Sequence, residues 1–222
     1  MNFKRIFLFN FHLFIVIAST ISYFWISSIT TFGIRSLQFY TIWNLLTVLF
    51  FYAKNLYKDI QLFRTGKTSD SSTSLLTLVF VMNIIMEIVF WSLTLYDPTL
   101  ILPKTFVIPP VLNHFLHTFP LFYDFIEIFF LPEYFAKMSS KYLDFLFVLL
   151  LALGYALVSF SVTFIYGDVI YPFLSMMSPL FFFIFFLVAT IFAYSFVMLS
   201  RKLISTGISR NLKKKEEEKK DN

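Results

Sequence analysis

A chain of 222 residues that is 58% hydrophobic, 22% aromatic and only 14% charged cannot bury its apolar surface as a soluble globular enzyme. The same hydrophobicity, with a mean hydropathy of +0.77, excludes a disordered chain, and the absence of cysteine excludes a disulfide scaffold. The net charge of +5 is not a nucleic-acid signature, because eight Lys/Arg against four Asp/Glu fall after residue 200. A basic end on an oily chain sets membrane topology or touches anionic lipid. Membrane lipids are therefore the expected partners, and nucleic acid is not.

A transmembrane helix needs roughly 20 mostly apolar residues. Six segments meet this requirement, at about 6–28, 37–53, 75–96, 107–131, 142–166 and 179–200. The first follows Lys4 and Arg5 and lacks a small-residue cleavage site, so it reads as a retained helix. The stretch 54–74 reads as a polar connection. Gly66, Lys67 and Thr68 lack the glycine-rich loop that a phosphate cradle requires. The stretch 168–178 is a short apolar connection interrupted by Pro172. The expected fold is all-α: a single six-span transmembrane domain over 1–200, then a charged cytosolic tail over 201–222.

With both termini in the cytosol, sixteen Lys/Arg lie on the cytosolic side and two, Arg35 and Lys104, on the other. That asymmetry is the positive-inside pattern for an even number of spans. Lys219 and Lys220 stand four and three residues from the end. A lysine pair so placed resembles the dilysine retrieval address of endoplasmic-reticulum membrane proteins, which is the expected location.

Ionisable groups inside a bilayer are costly and call for a reason. The fourth segment carries the most. Asn113, His114, His117, Asp124 and Glu127 share an arc of about 140° on a continuous helix. Pro120 interrupts its hydrogen bonding. In the second segment Gln38, Thr41 and Asn44 recur every three residues, and in the third Asn83 and Glu87 lie on one face. Asp144 is expected to reach headgroup water. His12, alone on an apolar helix near the other membrane face, reads as structural. Three histidines are too few for a histidine-rich di-iron site, and neither a serine nucleophile elbow nor a zinc-protease helix is present. No metal and no cofactor is expected. The chemistry left is a hydroxyl beside an imidazole base, Thr41 with His117. Polar glue between helices remains the bland reading of the same residues.

The stretches FYTIWNLLTVLFF, PPVLNHFLHTFPLFYDFIEI and VIYPFLSMMSP resemble the androgen-induced-gene-1-like membrane proteins, with the shared span order covering about residues 5–200. The resemblance implies a multi-pass hydrolase of fatty acid esters of hydroxy fatty acids, with Thr41 as nucleophile and His117 as base. Asn44, Asn113, His114 or backbone donors near Pro120 are then candidates for the oxyanion site, and Glu87 or Asp124 for orienting an imidazole. Two departures stand out. Asn44 replaces an Asp common in animal members, and Phe115 replaces a Gly between the histidines. A non-catalytic lipid-binding or transport protein is the alternative, with the polar stripe as its passage.

Overall fold

The computed structural model describes residues 3–29, 33–101, 108–167, 171–175 and 178–220. Every regular element among them is helical: α1 (Phe3–Ile29), α2 (Tyr40–Thr65), α3 (Ser74–Tyr96), α4 (Pro110–His117), α5 (Phe119–Phe129), α6 (Lys141–Tyr166), α7 (Pro172–Ser175) and α8 (Pro179–Lys220), with short 3-10 turns at Gly33–Gln38 and Pro98–Leu100. Lys104 and Val107 lie outside the described residues, as do Met176 and Met177.

Among the described residues four helices are long and apolar enough to cross a membrane: α1, α3, α6 and the apolar part of α8. The other two expected spans depart from that pattern for identifiable reasons. Helix α2 does not end near residue 53 but runs on to Thr65, carrying Lys54, Lys58 and Asp59 within it. It stops where Gly66, at φ 67°, supplies the left-handed residue that caps a helix C-terminus. The fourth segment is not one helix. Pro120 has no N–H to offer the carbonyl four residues back, and the chain breaks at Thr118 into α4 and α5. The expected single arc of five polar residues is therefore split, and His114 points outward, exposed.

Helix α3 is the centre of the bundle. Its apolar window is 61% buried, against 11% for α6 and 28% for α1. It packs on α2, α5, α6 and α8. The outward face of α6 presents Leu157, Phe160 and Phe164, a surface that only hydrocarbon would solvate. Helix α1 runs antiparallel to α2, with Phe9 edge-on to Phe63 at one end and Ile26 beside Ile42 at the other. The first turn of α1 and the Asn211 region of α8 meet at the first of these ends. Lys4 and Asn211 each donate to the Leu131 carbonyl, and Lys4 also reaches Asn211. Helix α8 continues without a break through residue 200. Ile204 and Ile208 join the core, and Gly207 brings α8 so close to α5 that an added Cβ would lie 3.1 Å from the Ile128 carbonyl oxygen. At 1.5 Å per residue α8 is about 63 Å long, twice a bilayer core, and its charged half stays packed on the bundle as far as Asn211. Backbone helix extends to Lys220, while the side chains of Lys219 and Lys220 lie outside the described residues.

Two polar assemblies sit inside this apolar frame. His12 is fully buried and far from alone. Its Nδ1 meets Asp59 of α2 at 2.6 Å and its Nε2 meets Glu127 of α5 at 2.7 Å, while the Asn55 amide donates to the other Glu127 oxygen at 2.8 Å. Each ring nitrogen faces a separate carboxylate, so the three side chains do not converge on one ion. Asp144, expected at headgroup water, is instead fully buried and ion-paired with Arg201 of α8, with the Ser139 hydroxyl donating to it as well.

These contacts differ greatly in worth. A hydrogen bond between membrane helices contributes about 0.6 kcal/mol on average, whereas removing one member of a buried ion pair costs about 3–5 kcal/mol. The His12 assembly ties α1, α2 and α5 together at one stroke. His12→Ala leaves two carboxylates buried without their partner, and the detergent-solubilised protein is expected to unfold at markedly lower temperature or denaturant. An unchanged midpoint in thermal or denaturant unfolding would contradict this role.

Candidate functional site

The end of the bundle away from the chain termini holds the second assembly. Thr41 is the second residue of α2, and His117 is the last of α4. Thr41 Oγ1 lies 3.1 Å from His117 Nε2. His117 is buried by its neighbours, and Phe90 of α3 stacks on the imidazole at 3.5 Å with an interplanar angle of 6°.

The other ring nitrogen fixes the tautomer. His117 Nδ1 is 3.0 Å from the Asn113 carbonyl oxygen and 2.8 Å from Asn113 Oδ1. A backbone carbonyl only accepts, so Nδ1 carries the proton and Nε2 presents its lone pair to the Thr41 hydroxyl. That is the arrangement a general base requires. It arises from local sequence. Asn113 and His117 are four apart on one helix face, and the break at Thr118 leaves the His117 ring at a helix end, free to turn toward α2.

The remaining expected site residues divide. Asn44, one turn below Thr41, donates to Asn83 Oδ1 at 2.7 Å and to the Met86 sulfur at 3.2 Å. Asn83 in turn donates to Asp124 at 2.7 Å, and Tyr52 lies beside Asp124. Asp124 is thus engaged with Asn83 and does not orient the imidazole. Neither does Glu87, which is half-buried with one oxygen unpartnered among the described residues. Asn113 holds the orienting position that sequence reasoning gave to a carboxylate. His114 stacks on Trp91 at 5.4 Å and meets Thr118 Oγ1 at 3.1 Å, apart from the Thr41 pair. The Trp91 indole also donates to Thr118, which pins the break between α4 and α5. Phe115 packs edge-on to Phe119 and against the core.

Three residues complete the site that were not singled out from sequence. Phe90 lies three residues after Glu87 on α3, where spacing alone would have found it. Tyr171, just before α7, accepts a hydrogen bond from the Tyr40 N–H at 3.0 Å, and its hydroxyl lies beside both Thr41 and Tyr155. Tyr155 of α6 donates to the Gln38 carbonyl at 2.8 Å, and Gln38 donates to Thr163 at 3.0 Å. The YPFL block that contains Tyr171 was the available signal.

Among the described residues no group of three or more His, Asp or Glu is placed to hold a metal ion. The arrangement offers a hydroxyl, a correctly tautomerised base, an orienting amide and a phenol, all enclosed by apolar helices.

Comparison with known proteins places the chain in a family. The chain is 30% identical over 177 residues to the androgen-dependent TFPI-regulating protein of Mesocricetus auratus, a match covering 75% of this chain and 74% of that protein. No solved structure matches significantly. The family model described as FAR-17a/AIG1-like protein matches residues 6–205, so nearly all of the helical bundle, with the Thr41–His117 pair inside it, is family sequence. The chain belongs to the FAR-17a/AIG1-like family of membrane proteins.

Proposed function

We propose that this protein is an intramembrane threonine hydrolase of lipid esters, with fatty acid esters of hydroxy fatty acids as its substrate class. The observation that carries the reading is the 3.1 Å contact between Thr41 Oγ1 and the unprotonated nitrogen of His117. A threonine hydroxyl is a weak nucleophile until a neighbouring base takes its proton. His117 takes that proton as Oγ1 attacks the ester carbonyl, then gives it to the departing alkoxide. Thr41 is left acylated. The same imidazole then draws a proton from water, which releases the fatty acid and restores the hydroxyl. Asn113 keeps the ring in its base tautomer throughout, and Phe90 keeps the face of the ring dry.

The membrane arrangement proposed with this chemistry has six crossings, α2 and the broken pair α4–α5 joining the four apolar helices, and both termini in the cytosol. Thr41 to Asp59 along α2 spans about 27 Å at 1.5 Å per residue, close to the thickness of a bilayer core. The contact of Lys4 with Asn211 supports both termini on one side. The basic bias puts that side in the cytosol, and Lys219 and Lys220 there serve as an endoplasmic-reticulum address. The active pair then sits near the opposite membrane face, reached laterally by a lipid.

A lipid-binding or transport role is favoured by one observation: buried polar side chains recur from Asn44 through Asn83 and Asp124 to Glu127, His12 and Asp59 along the bundle. They bond within two groups, Asn44–Asn83–Asp124 and Glu127–His12–Asp59, which makes them struts in the resting structure, and a passage would have to break them.

Purified protein in detergent is expected to release free fatty acid from a branched lipid ester. Thr41→Ala and His117→Ala are each expected to lose nearly all of this while remaining folded, and Asn113→Ala to lose a smaller share, because the base is disoriented and not removed. Wild-type turnover in the Thr41 and His117 variants would overturn the assignment. Topology has a separate check. The chain contains no cysteine, so Asp70→Cys and Tyr96→Cys each introduce a single thiol. In sealed vesicles with the cytosolic face outward, a membrane-impermeant maleimide is expected to label position 70 directly and position 96 only after permeabilisation. The reverse pattern would invert the topology.

A further inference from the structure

An ester carbonyl attacked by Thr41 develops negative charge on its oxygen, and stabilising that charge with a fixed donor is usually the largest single catalytic contribution. The side-chain donors suggested by sequence are occupied or misplaced. The Asn44 amide donates to Asn83 and Met86. Asn113 engages Nδ1, the ring nitrogen facing away from Thr41. His114 is exposed and stacked on Trp91.

One polar group converges on Thr41 from outside the α2–α4 pair. The Tyr171 hydroxyl lies alongside the Thr41 side chain and its backbone amide. It is held there from several directions. The Tyr40 N–H, which as the first residue of α2 has no intrahelical acceptor, donates to the phenol oxygen at 3.0 Å. Phe39 packs edge-on to the ring at 5.9 Å, and Phe173 packs against it at 5.8 Å. With the oxygen fixed by an incoming N–H, the phenol keeps its own O–H as a donor, with Thr41 on one side and the Tyr155 oxygen on the other in the resting structure.

We propose that Tyr171 is a catalytic residue, donating a hydrogen bond to the oxyanion of the tetrahedral intermediate. The inference rests on the hydrolase reading above. In the attack step the Thr41 proton passes to His117 Nε2, the Oγ1–carbon bond forms, and the carbonyl π pair moves onto oxygen. Tyr171 donates to that oxygen and keeps its own proton. The electron pair returns as the carbon–alkoxide bond breaks, and His117 protonates the alkoxide. Because the acyl oxygen stands one bond from the carbon that Oγ1 joins, a donor beside Thr41 reaches it with little movement. The segment carrying Tyr171 connects α6 to α8, so the acyl site is completed by a third part of the chain.

Tyr171→Phe keeps the ring and its packing and deletes only the donor. With the lipid ester as substrate, kcat is expected to fall on the order of 100-fold with KM within a few-fold of wild type. Inhibition by a long-chain trifluoromethyl ketone, which forms an oxyanion on Thr41, is expected to weaken in parallel. A purely structural role would instead change the unfolding midpoint or KM and spare the difference between ketone and substrate. Should the phenylalanine variant fail to fold, a fluorinated tyrosine placed at 171 keeps shape and hydroxyl while changing donor strength. The proposal then requires ketone affinity to shift, and an unshifted affinity overturns it. Wild-type kcat in Tyr171→Phe alongside a dead Thr41→Ala overturns the role of Tyr171 and leaves the hydrolase standing. A wild-type protein without esterase activity overturns both.

Discussion

Polar side chains surrounded by hydrocarbon must find their partners inside the chain, because lipid supplies none. The bundle is organised by that requirement more than by apolar packing, which is as favourable against lipid tails as against other helices. His12 joins three helices because the buried carboxylates of Asp59 and Glu127 both bond to its ring. Arg201 binds α8 to α6 through a buried Asp144 for the same reason. Asn44, Asn83 and Asp124 carry the pattern through the middle of the bundle. With α1, α2, α3, α5, α6 and α8 fixed at these points, the far end of α2 is held rigidly enough to place one hydroxyl against one imidazole.

At that end the constraint changes character. Thr41, His117 and Asn113 form a directional chain in which each group can play only one part. A core built purely for cohesion would use amides and hydroxyls that exchange roles freely. Here the Asn113 carbonyl holds the proton on Nδ1, and the unprotonated ring nitrogen faces the Thr41 hydroxyl. The break at Thr118 is what makes this geometry reachable. An uninterrupted fourth helix would carry His117 on a continuous stripe with His114, Asp124 and Glu127. Splitting it lets α4 present His117 to α2 while α5 presents Glu127 to His12.

Much of this was legible in sequence, and what was missed has physical causes. Composition alone identified lipid as the solvent, and the pairing of Thr41 with His117 followed from residue chemistry and a family resemblance. Pro120 announced a disturbance in the fourth segment, but whether a proline kinks or breaks a helix depends on neighbours such as Trp91, whose indole holds Thr118. Helix α2 was expected to end near residue 53 because Lys54 looked like a membrane boundary. The helix instead continues, since Asn55 and Asp59 find buried partners in α1 and α5. His12 looked solitary because its partners lie 47 and 115 residues away. Asn113 was one of several oxyanion candidates, and its contact with Nδ1 shows only when the ring of His117 is seen from both sides. The lysine-rich end looked like a solvated tail, while the structure carries helix through it to Lys220 and buries Ile204 and Ile208 on the way.

The central claim is covalent: the Thr41 oxygen attacks an electrophile with His117 as its base. Intact mass and peptide mapping after treatment of the purified protein with a fluorophosphonate test it most directly. The expected result is a single adduct on the peptide containing Thr41, slowed greatly in His117→Ala. An adduct on another residue, or an active protein whose labelling is unchanged by Thr41→Ala, would contradict the account.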